Sequence, residues 1–166
     1  MEYKNKIITP LPDEQLLNEE EKIWRVSLPA SAKEFFLQYS GLIPKKNIFS
    51  GKLPQDQERI IERFLCILHD TQNHTLGMYD IDVILTQLAE RLLYSEDILG
   101  VELLPVAALF GGDFVCLDYS QRRENPSVCI WHHESSYELN PSTTFITDTF
   151  EDFLGMLYSK DDIENS

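Results

Sequence analysis

Apolar residues recur at the spacing of a helix in four parts of the chain, and we predict a helix in each. The first is largely polar and covers residues 12–23, and the second ends before Gly41, a residue suited to a left-handed stop. Asp80 can cap the third, and residues 148–151 have the capping-box pattern that starts the last. The residues predicted to be in the core include Phe35, Phe36, Ile81, Ile84, Leu85, Leu88, Leu92, Phe150, Phe153, Leu154 and Leu157.

Short runs rich in β-branched and other apolar residues follow the third helix. We predict strands over residues 101–109, 113–119 and 127–132, and the connection 120–126 is typical of a hairpin. Residues 144–147 are expected to add an edge strand.

Residues 54–68 carry two periodicities. Their apolar positions fit a helical stripe, but residues 63–68 also fit a buried strand, and periodicity alone does not separate the two. The polar residues 69–75 are predicted to form a loop, and residues 47–49 a short strand.

Helices at both ends of a central run of hairpin-linked strands predict an α+β domain with a mostly antiparallel sheet. The length of 166 residues fits a single domain. We place this domain at residues 1–159, followed by a flexible acidic tail at residues 160–166.

The chain has no apolar run close to the roughly 18 residues of a membrane span, and its start is too short in apolar residues for a signal peptide. Cys66, Cys116 and Cys129 each lie in an apolar run, so we expect three reduced thiols in the core. Together these features predict a cytoplasmic protein.

Negative charge is concentrated in the second half of the chain. The formal net charge is −14, of which residues 80–166 carry −13, from 17 acids and 4 bases. Such a chain is a poor ligand for nucleic acids and anionic membranes, and it can be steered toward a basic protein. The alternative is that the acidic surface only maintains solubility.

The best metal candidate is the run His132, His133 and Glu134, with Asp113 or Asp118 from the neighbouring strand. If these residues continued a strand, His132 and Glu134 would share one face and His133 the other. The alternative is a solvated strand end, which we favour, and we predict no metal and no cofactor.

Known catalytic patterns are missing from the sequence. It contains no phosphate-binding loop, dinucleotide-binding glycine pattern, nucleophile elbow or HExxH. Gly111 and Gly112 fit a tight turn better than a phosphate cradle. Asp118 and Glu134 are the candidate carboxylate pair for acid–base chemistry, but the sequence does not place them in one pocket. We therefore predict that the protein is not an enzyme.

Several segments, in order and spanning roughly residues 20–158, resemble the SUKH superfamily. The segment Leu28-Pro-Ala-Ser-Ala-Lys-Glu-Phe-Phe-Leu-Gln-Tyr-Ser-Gly41 is similar to its Leu-Pro-containing helix. Residues 104–107, 111–119, 124–134 and 149–157 resemble its centre and C-terminal helix. Ser40, Leu42, the pair Leu109-Phe110, and His132 depart from the usual residues, and Leu109-Phe110 is either an added core contact or an exposed anchor.

This resemblance implies a helix-flanked sheet, a strand over residues 62–68 and no catalytic residues. Bacterial members are mostly immunity proteins that bind and neutralise a polymorphic or contact-dependent toxin, often a nuclease. Fungal relatives act in cell-wall synthesis. The expectation is an immunity protein that binds a basic toxin stoichiometrically, and the alternative is a regulatory scaffold for an endogenous protein.

The acidic segment from Asp80 to Glu102 is the predicted partner-binding surface. Its only base is Arg91, and an apolar or aromatic anchor rimmed by charge is the usual composition of a binding hot spot. The core-facing positions of the third helix would leave Asp82 and Glu90 toward solvent. The predicted contact residues are Asp82, Glu90, Tyr94, Glu96, Asp97, Ile98 and Glu102.

Overall fold

The computed structural model describes residues 6–51, 56–96 and 99–164. The helices are α1 (Glu14–Trp24), α2 (Ala30–Tyr39), α3 (Ile81–Leu88), α4 (Phe150–Met156) and α5 (Lys160–Glu164), with 3₁₀ helices at Gly77–Tyr79 and Ala89–Leu92. The strands are β1 (Ile48–Phe49), β2 (Arg59–Phe64), β3 (Leu103–Leu109), β4 (Phe114–Asp118), β5 (Ser127–Trp131) and β6 (Thr143–Thr147). Within the described residues, no helix has the length and apolar character needed to cross a membrane.

The six strands form one antiparallel sheet in which spatial order follows chain order from β1 to β6. The predicted hairpin around residues 120–126 joins β4 to β5, with Phe114 opposite Trp131 and Asp118 opposite Ser127. The predicted last strand is the outermost one, paired with β5. The α+β class and the antiparallel sheet are confirmed.

Side-chain caps precede α1, α3 and α4, and the first helix starts at Glu14 instead of the predicted residue 12. Asp13 accepts a hydrogen bond from the Leu16 amide at 2.8 Å, and Asp80 accepts one from the Val83 amide at 3.1 Å. The cap of α4 is Thr149, not Asp148, because Thr149 has extended backbone directly before the first helical residue and accepts from the Asp152 amide.

Tertiary pairing resolves the ambiguous segment 54–68. It forms β2 over Arg59–Phe64, opposite β3, so the strand at residues 62–68 implied by the resemblance is misplaced. A bulge interrupts the pairing between Ile61 and Arg63, and the chain leaves the strand after Phe64. Cys66 then bridges to Asp80 instead of extending β2.

The main core lies between one face of the sheet and helices α1, α2, α3 and α4. Alternation along β4 and β5 directs Val115, Leu117, Val128 and Ile130 to this face, which we call the first face. Most of the predicted core residues are buried: Phe35, Phe36, Ile81, Ile84, Leu92, Phe150 and Phe153. The others are half-buried at the edge of the core: Leu85, Leu88, Leu154 and Leu157. The three cysteines are free and buried, and burial raises the pKa of the Cys66 thiol to about 12.

The opposite face of the sheet, the second face, carries a smaller apolar cluster. Cys116 and Cys129 lie opposite each other on β4 and β5 and are both buried. Leu103, Trp131 and Leu92 of the second 3₁₀ helix complete this cluster. Chain that follows α3 therefore covers part of the second face.

Residues 160–164 form the short helix α5, where the sequence predicted a flexible tail. The Asp162 carboxylate accepts a hydrogen bond from the Ser159 amide at 2.9 Å, which caps this turn locally. Residues 165–166 lie outside the described residues. The division of the chain at residue 159 remains a prediction.

Candidate functional site

The predicted partner-binding segment crosses the second face of the sheet. Ala89 ends α3 at φ 43° and ψ −120°, a backbone conformation that non-glycine residues rarely adopt and that turns the chain toward β5. Leu92 is then buried in the second-face cluster. The Trp131 indole nitrogen donates to the Arg91 carbonyl oxygen at 2.9 Å and fixes the segment over β5.

Arg91, the only base in the acidic segment, is directed inward. Its Nε donates to the Ser136 carbonyl at 3.1 Å, and its guanidinium also bonds the His133 carbonyl. The guanidinium carbon lies 5.0 Å from the centroid of the Trp131 ring. Its donors therefore bind backbone carbonyls rather than the neighbouring carboxylates.

A turn from elsewhere in the sequence adds a further acid beside this segment. The Leu139 amide donates to the Glu90 carbonyl at 2.9 Å, and the Glu138 side chain hydrogen-bonds that of Glu90. This bond and the adjacent negative charge raise the pKa of Glu90. Tyr137 is 64% exposed on the same turn. Sequence reasoning missed Tyr137 and Glu138, because no local pattern connects them with residue 90.

Tyr94 and Glu102, two of the predicted contact residues, lie next to each other. The Tyr94 amide donates to the Glu102 carboxylate at 2.7 Å. The Tyr94 side chain interacts with Thr143 on β6, and its partial burial raises the pKa of its phenol. It is nevertheless 43% exposed, enough to offer an aromatic surface to a partner.

We define the acidic face as Glu90, Tyr94, Glu96, Glu102, Tyr137 and Glu138. The negative charge of Glu96 also acts on Glu90 and contributes to its raised pKa, so both carboxylates belong to one surface. Among the described residues, none of its four carboxylates forms an ion pair within 4.0 Å. The surface is therefore a concentration of negative charge that carries two exposed tyrosines.

An apolar groove of about 510 Å³ adjoins the acidic face. It lies between the end of α1, which contributes exposed Ile23, and the chain that leads into β3, which contributes Leu93 and Val101. Glu90 and Glu102 line its rim. The groove can accept an apolar side chain beside the charged surface.

Three residues of the predicted surface, Asp82, Asp97 and Ile98, are not part of the acidic face. Asp82 does not face solvent, because it accepts a 2.7 Å hydrogen bond from the Trp24 indole of α1. Asp97 and Ile98 lie outside the described residues. The acidic face therefore excludes these three residues, and their role in binding stays a prediction.

Glu20 and Asp82 form an unanticipated carboxyl pair between α1 and α3. Glu20 is only 7% exposed, and burial, followed by a hydrogen bond and repulsion from Asp82, raises its pKa to about 8. Among the described residues, one Glu20 oxygen has no hydrogen-bond partner. Near neutral pH the pair therefore holds a proton that joins the two helices.

His132, His133 and Arg59 surround the carboxylate of Asp113, which forms an ion pair with Arg59. Asp113 lies 2.7 Å from Arg59 Nη2, 2.6 Å from His133 Nδ1 and 3.4 Å from His132 Nδ1. Burial opposes ionisation of Asp113, but hydrogen bonds from His133 and Arg59 outweigh it and lower its pKa to about 2. The predicted alternation of the two histidines is wrong, because β5 ends at Trp131 and the chain turns.

These side chains offer little for metal or acid–base chemistry. Within the residues described, no group of three or more His, Cys, Asp or Glu residues is placed to hold a metal ion. The candidate pair Asp118 and Glu134 lies toward opposite ends of the β4–β5 hairpin. Asp118 instead accepts hydrogen bonds from Ser120.

The departures at Leu109 and Phe110 have separate outcomes. Leu109 is buried in the main core, whereas Phe110 is 60% exposed on the β3–β4 turn. One residue is thus the added core contact and the other is an exposed apolar side chain.

The fold is an α+β domain with an antiparallel meander sheet. Helices pack on the first face of the sheet, and the acidic segment crosses the second face. A family model described as SMI1-KNR4 cell-wall, the SUKH_6 model, matches residues 14–154, and the chain belongs to this family. Membership is consistent with an immunity or regulatory role, and SUKH proteins typically bind partner proteins such as toxins. No curated protein and no solved structure matches the chain significantly.

Proposed function

We propose that this protein is an immunity protein that neutralises a cognate toxin by stoichiometric binding through the acidic face. The observation that supports the proposal is the set of four acidic side chains that, among the described residues, form no ion pair and lie beside the exposed rings of Tyr94 and Tyr137. The base closest in sequence, Arg91, donates to backbone carbonyls instead of pairing with these side chains.

A basic toxin, such as a nuclease, fits this surface by charge. A nuclease binds phosphate through a basic cleft, and an acidic face that covers the cleft competes with the substrate. The two tyrosines and the groove at Ile23 provide apolar contact at the centre of such an interface. Charge then accelerates association, and the aromatic contacts slow dissociation.

A regulatory scaffold for an endogenous protein is the second candidate. It is favoured by the family model, whose description refers to the cell wall. The same acidic face would serve a basic endogenous partner. The genes that adjoin the one encoding this chain separate the two roles, because an immunity gene is expected directly beside its toxin gene.

The test uses the toxin domain encoded beside this chain, produced in cells with and without it. We expect the chain to restore growth and to form a 1:1 complex by light scattering. The double reversal Glu96→Lys and Glu138→Lys should slow association roughly tenfold and flatten its salt dependence.

The matched control is the double reversal Glu19→Lys and Glu34→Lys on α1 and α2, which changes the net charge equally at exposed sites. Equal association rates for both double variants would place the interface elsewhere. A chain that neither binds nor protects against the adjoining toxin would overturn the immunity role.

A further inference from the structure

Strand β6 lies at one edge of the sheet. It is the last strand in the sheet order, and among the described residues β5 is the only strand that pairs with it. Within those residues, the backbone N–H and C=O groups on the other side of β6 therefore have no strand partner. Such a row is a template for a strand from another chain.

The sequence of β6 lacks the usual protection of an edge. Its five residues, Thr-Thr-Phe-Ile-Thr, include no charged residue and no proline, the features that commonly prevent edge-to-edge association. Phe145 at its centre is 55% exposed. An unprotected edge with an exposed aromatic ring is a liability for a free protein, and it is explained if a partner covers it.

This edge is continuous with the acidic face. Thr143 pairs with Trp131, whose indole binds the Arg91 carbonyl, so the segment that carries Tyr94 passes beside the start of β6. Phe145 pairs with Cys129 and points to the same second face as Thr143. The Tyr94 side chain interacts with that of Thr143, on the same face of β6 as Phe145. A strand added to β6 would therefore place alternate side chains near Phe145 and Tyr94.

Charge decides which strand fits. Asp148 is exposed directly after β6, and Glu151 and Asp152 are exposed on the next helix. A second copy of this chain, with a net charge of −14, would bring like charges together at this edge. A strand that carries lysine or arginine would instead be attracted by these three carboxylates and by those of the acidic face.

We propose that β6 receives a basic strand of the partner protein by β-strand addition, so that main-chain hydrogen bonds to the edge extend the contact made by the acidic face. This inference rests on the proposed function, because the strand belongs to the same toxin. Backbone pairing then supplies affinity, while Phe145 and the carboxylates select a strand with alternating apolar and basic side chains.

Hydrogen exchange of the β6 amides tests the pairing directly. In the free chain, the outward amides within residues 143–147 should exchange at least tenfold faster than in the 1:1 complex with the adjoining toxin domain. Unchanged exchange of these amides in a stable complex would overturn strand addition. Protection in the free chain that grows with its concentration would also overturn it, because a second copy would then be the occupant.

The variant Phe145→Lys places a charge on the edge, and Phe110→Lys is its control at a similarly exposed phenylalanine on the β3–β4 turn. Given unfolding midpoints equal to wild type, we expect Phe145→Lys to weaken binding at least tenfold and Phe110→Lys to change it less than twofold. Equal effects would contradict the proposal.

The two proposals fail differently. If reversal of Glu96 and Glu138 slows association but binding neither protects the β6 amides nor responds to Phe145→Lys, the immunity role stands and strand addition is rejected. A wild-type chain that forms no complex with the toxin removes both. The hydrogen-exchange measurement uses the wild-type chain, so it does not depend on the folding of any variant.

Discussion

The indole nitrogen of Trp131 donates a hydrogen bond to the carbonyl oxygen of Arg91 at 2.9 Å, and the guanidinium of Arg91 lies 5.0 Å from the centre of the Trp131 ring. This reciprocal contact joins β5 to the segment that carries the acidic face. It also directs the half-buried guanidinium of that segment's only base toward β5 and backbone carbonyls. One pair of residues therefore fixes where the acidic face lies and where its nearest base points.

Replacing Arg91 tests this relationship. Arg91→Met keeps an apolar stem over Trp131 but loses the hydrogen bonds to Ser136 and His133. We expect a loss of about 1–3 kcal/mol in the free energy of unfolding, measured in urea. Arg122→Met, at an exposed arginine, is the control and should change stability by less than about 0.5 kcal/mol. Equal stability of both variants would show that the contact is not structural.

The Glu20–Asp82 pair predicts a loss of stability in alkaline solution. The pKa of Glu20 is raised from 4.5 to about 8 in the folded protein, so the folded state holds a proton that the unfolded chain releases. The contribution of Glu20 to the free energy of unfolding is therefore full below pH 4.5 and is lost as the pH rises to about 8. Unfolding in urea at a series of pH values measures the slope.

Glu20→Gln keeps the shape and a hydrogen-bond donor without the charge. We expect it to flatten the decline between pH 4.5 and 8, although the raised pKa of Asp80 leaves a slope in the same direction. Glu34→Gln, at an exposed site on α2 that does not contribute to the pKa shift of Glu20, should keep the wild-type profile. A decline unaffected by Glu20→Gln would assign the titration to another group.

Asp113 predicts the opposite behaviour in acid. Its pKa is lowered from 3.8 to about 2, so its contribution is full above pH 3.8 and disappears as the pH falls through 2. Asp113→Asn should cost about 2 kcal/mol at neutral pH, because the charged hydrogen bonds to Arg59 and His133 are lost. The exposed variant Glu134→Gln should match wild type in the same acid titration.

Core packing is tested by two phenylalanines of contrasting burial. Phe153 is fully buried and meets the Phe49 ring edge-on, with 5.1 Å between the ring centroids. Phe153→Ala should lower the free energy of unfolding by about 3–5 kcal/mol. Phe110→Ala, at an exposed ring, should change it by less than about 0.5 kcal/mol, and similar losses for both would contradict the assigned core.

Local patterns were sufficient to predict most of the fold. The cap Asp80, the stripe around Phe35 and Phe36, and the hairpin between β4 and β5 depend on residues close together in the chain. The α+β class follows from their order. The exact cap of α4 was missed by one residue, because Asp148 and Thr149 are both good capping residues and only the backbone distinguishes them.

The sequence by itself determined the α+β class, most of the helices and strands, the edge position of the last strand and the concentration of acid in the second half, because each depends on spacing or composition. Only the tertiary structure decided that Asp82 binds Trp24, that Glu138 meets Glu90 and that residues 59–64 form a strand. Residues 90 and 138 are 48 positions apart, and their contact depends on how Arg91 packs over Trp131. Long-range packing of this kind leaves no periodic pattern in the sequence, so the contribution of Tyr137 and Glu138 to the acidic face could be read only from the folded chain.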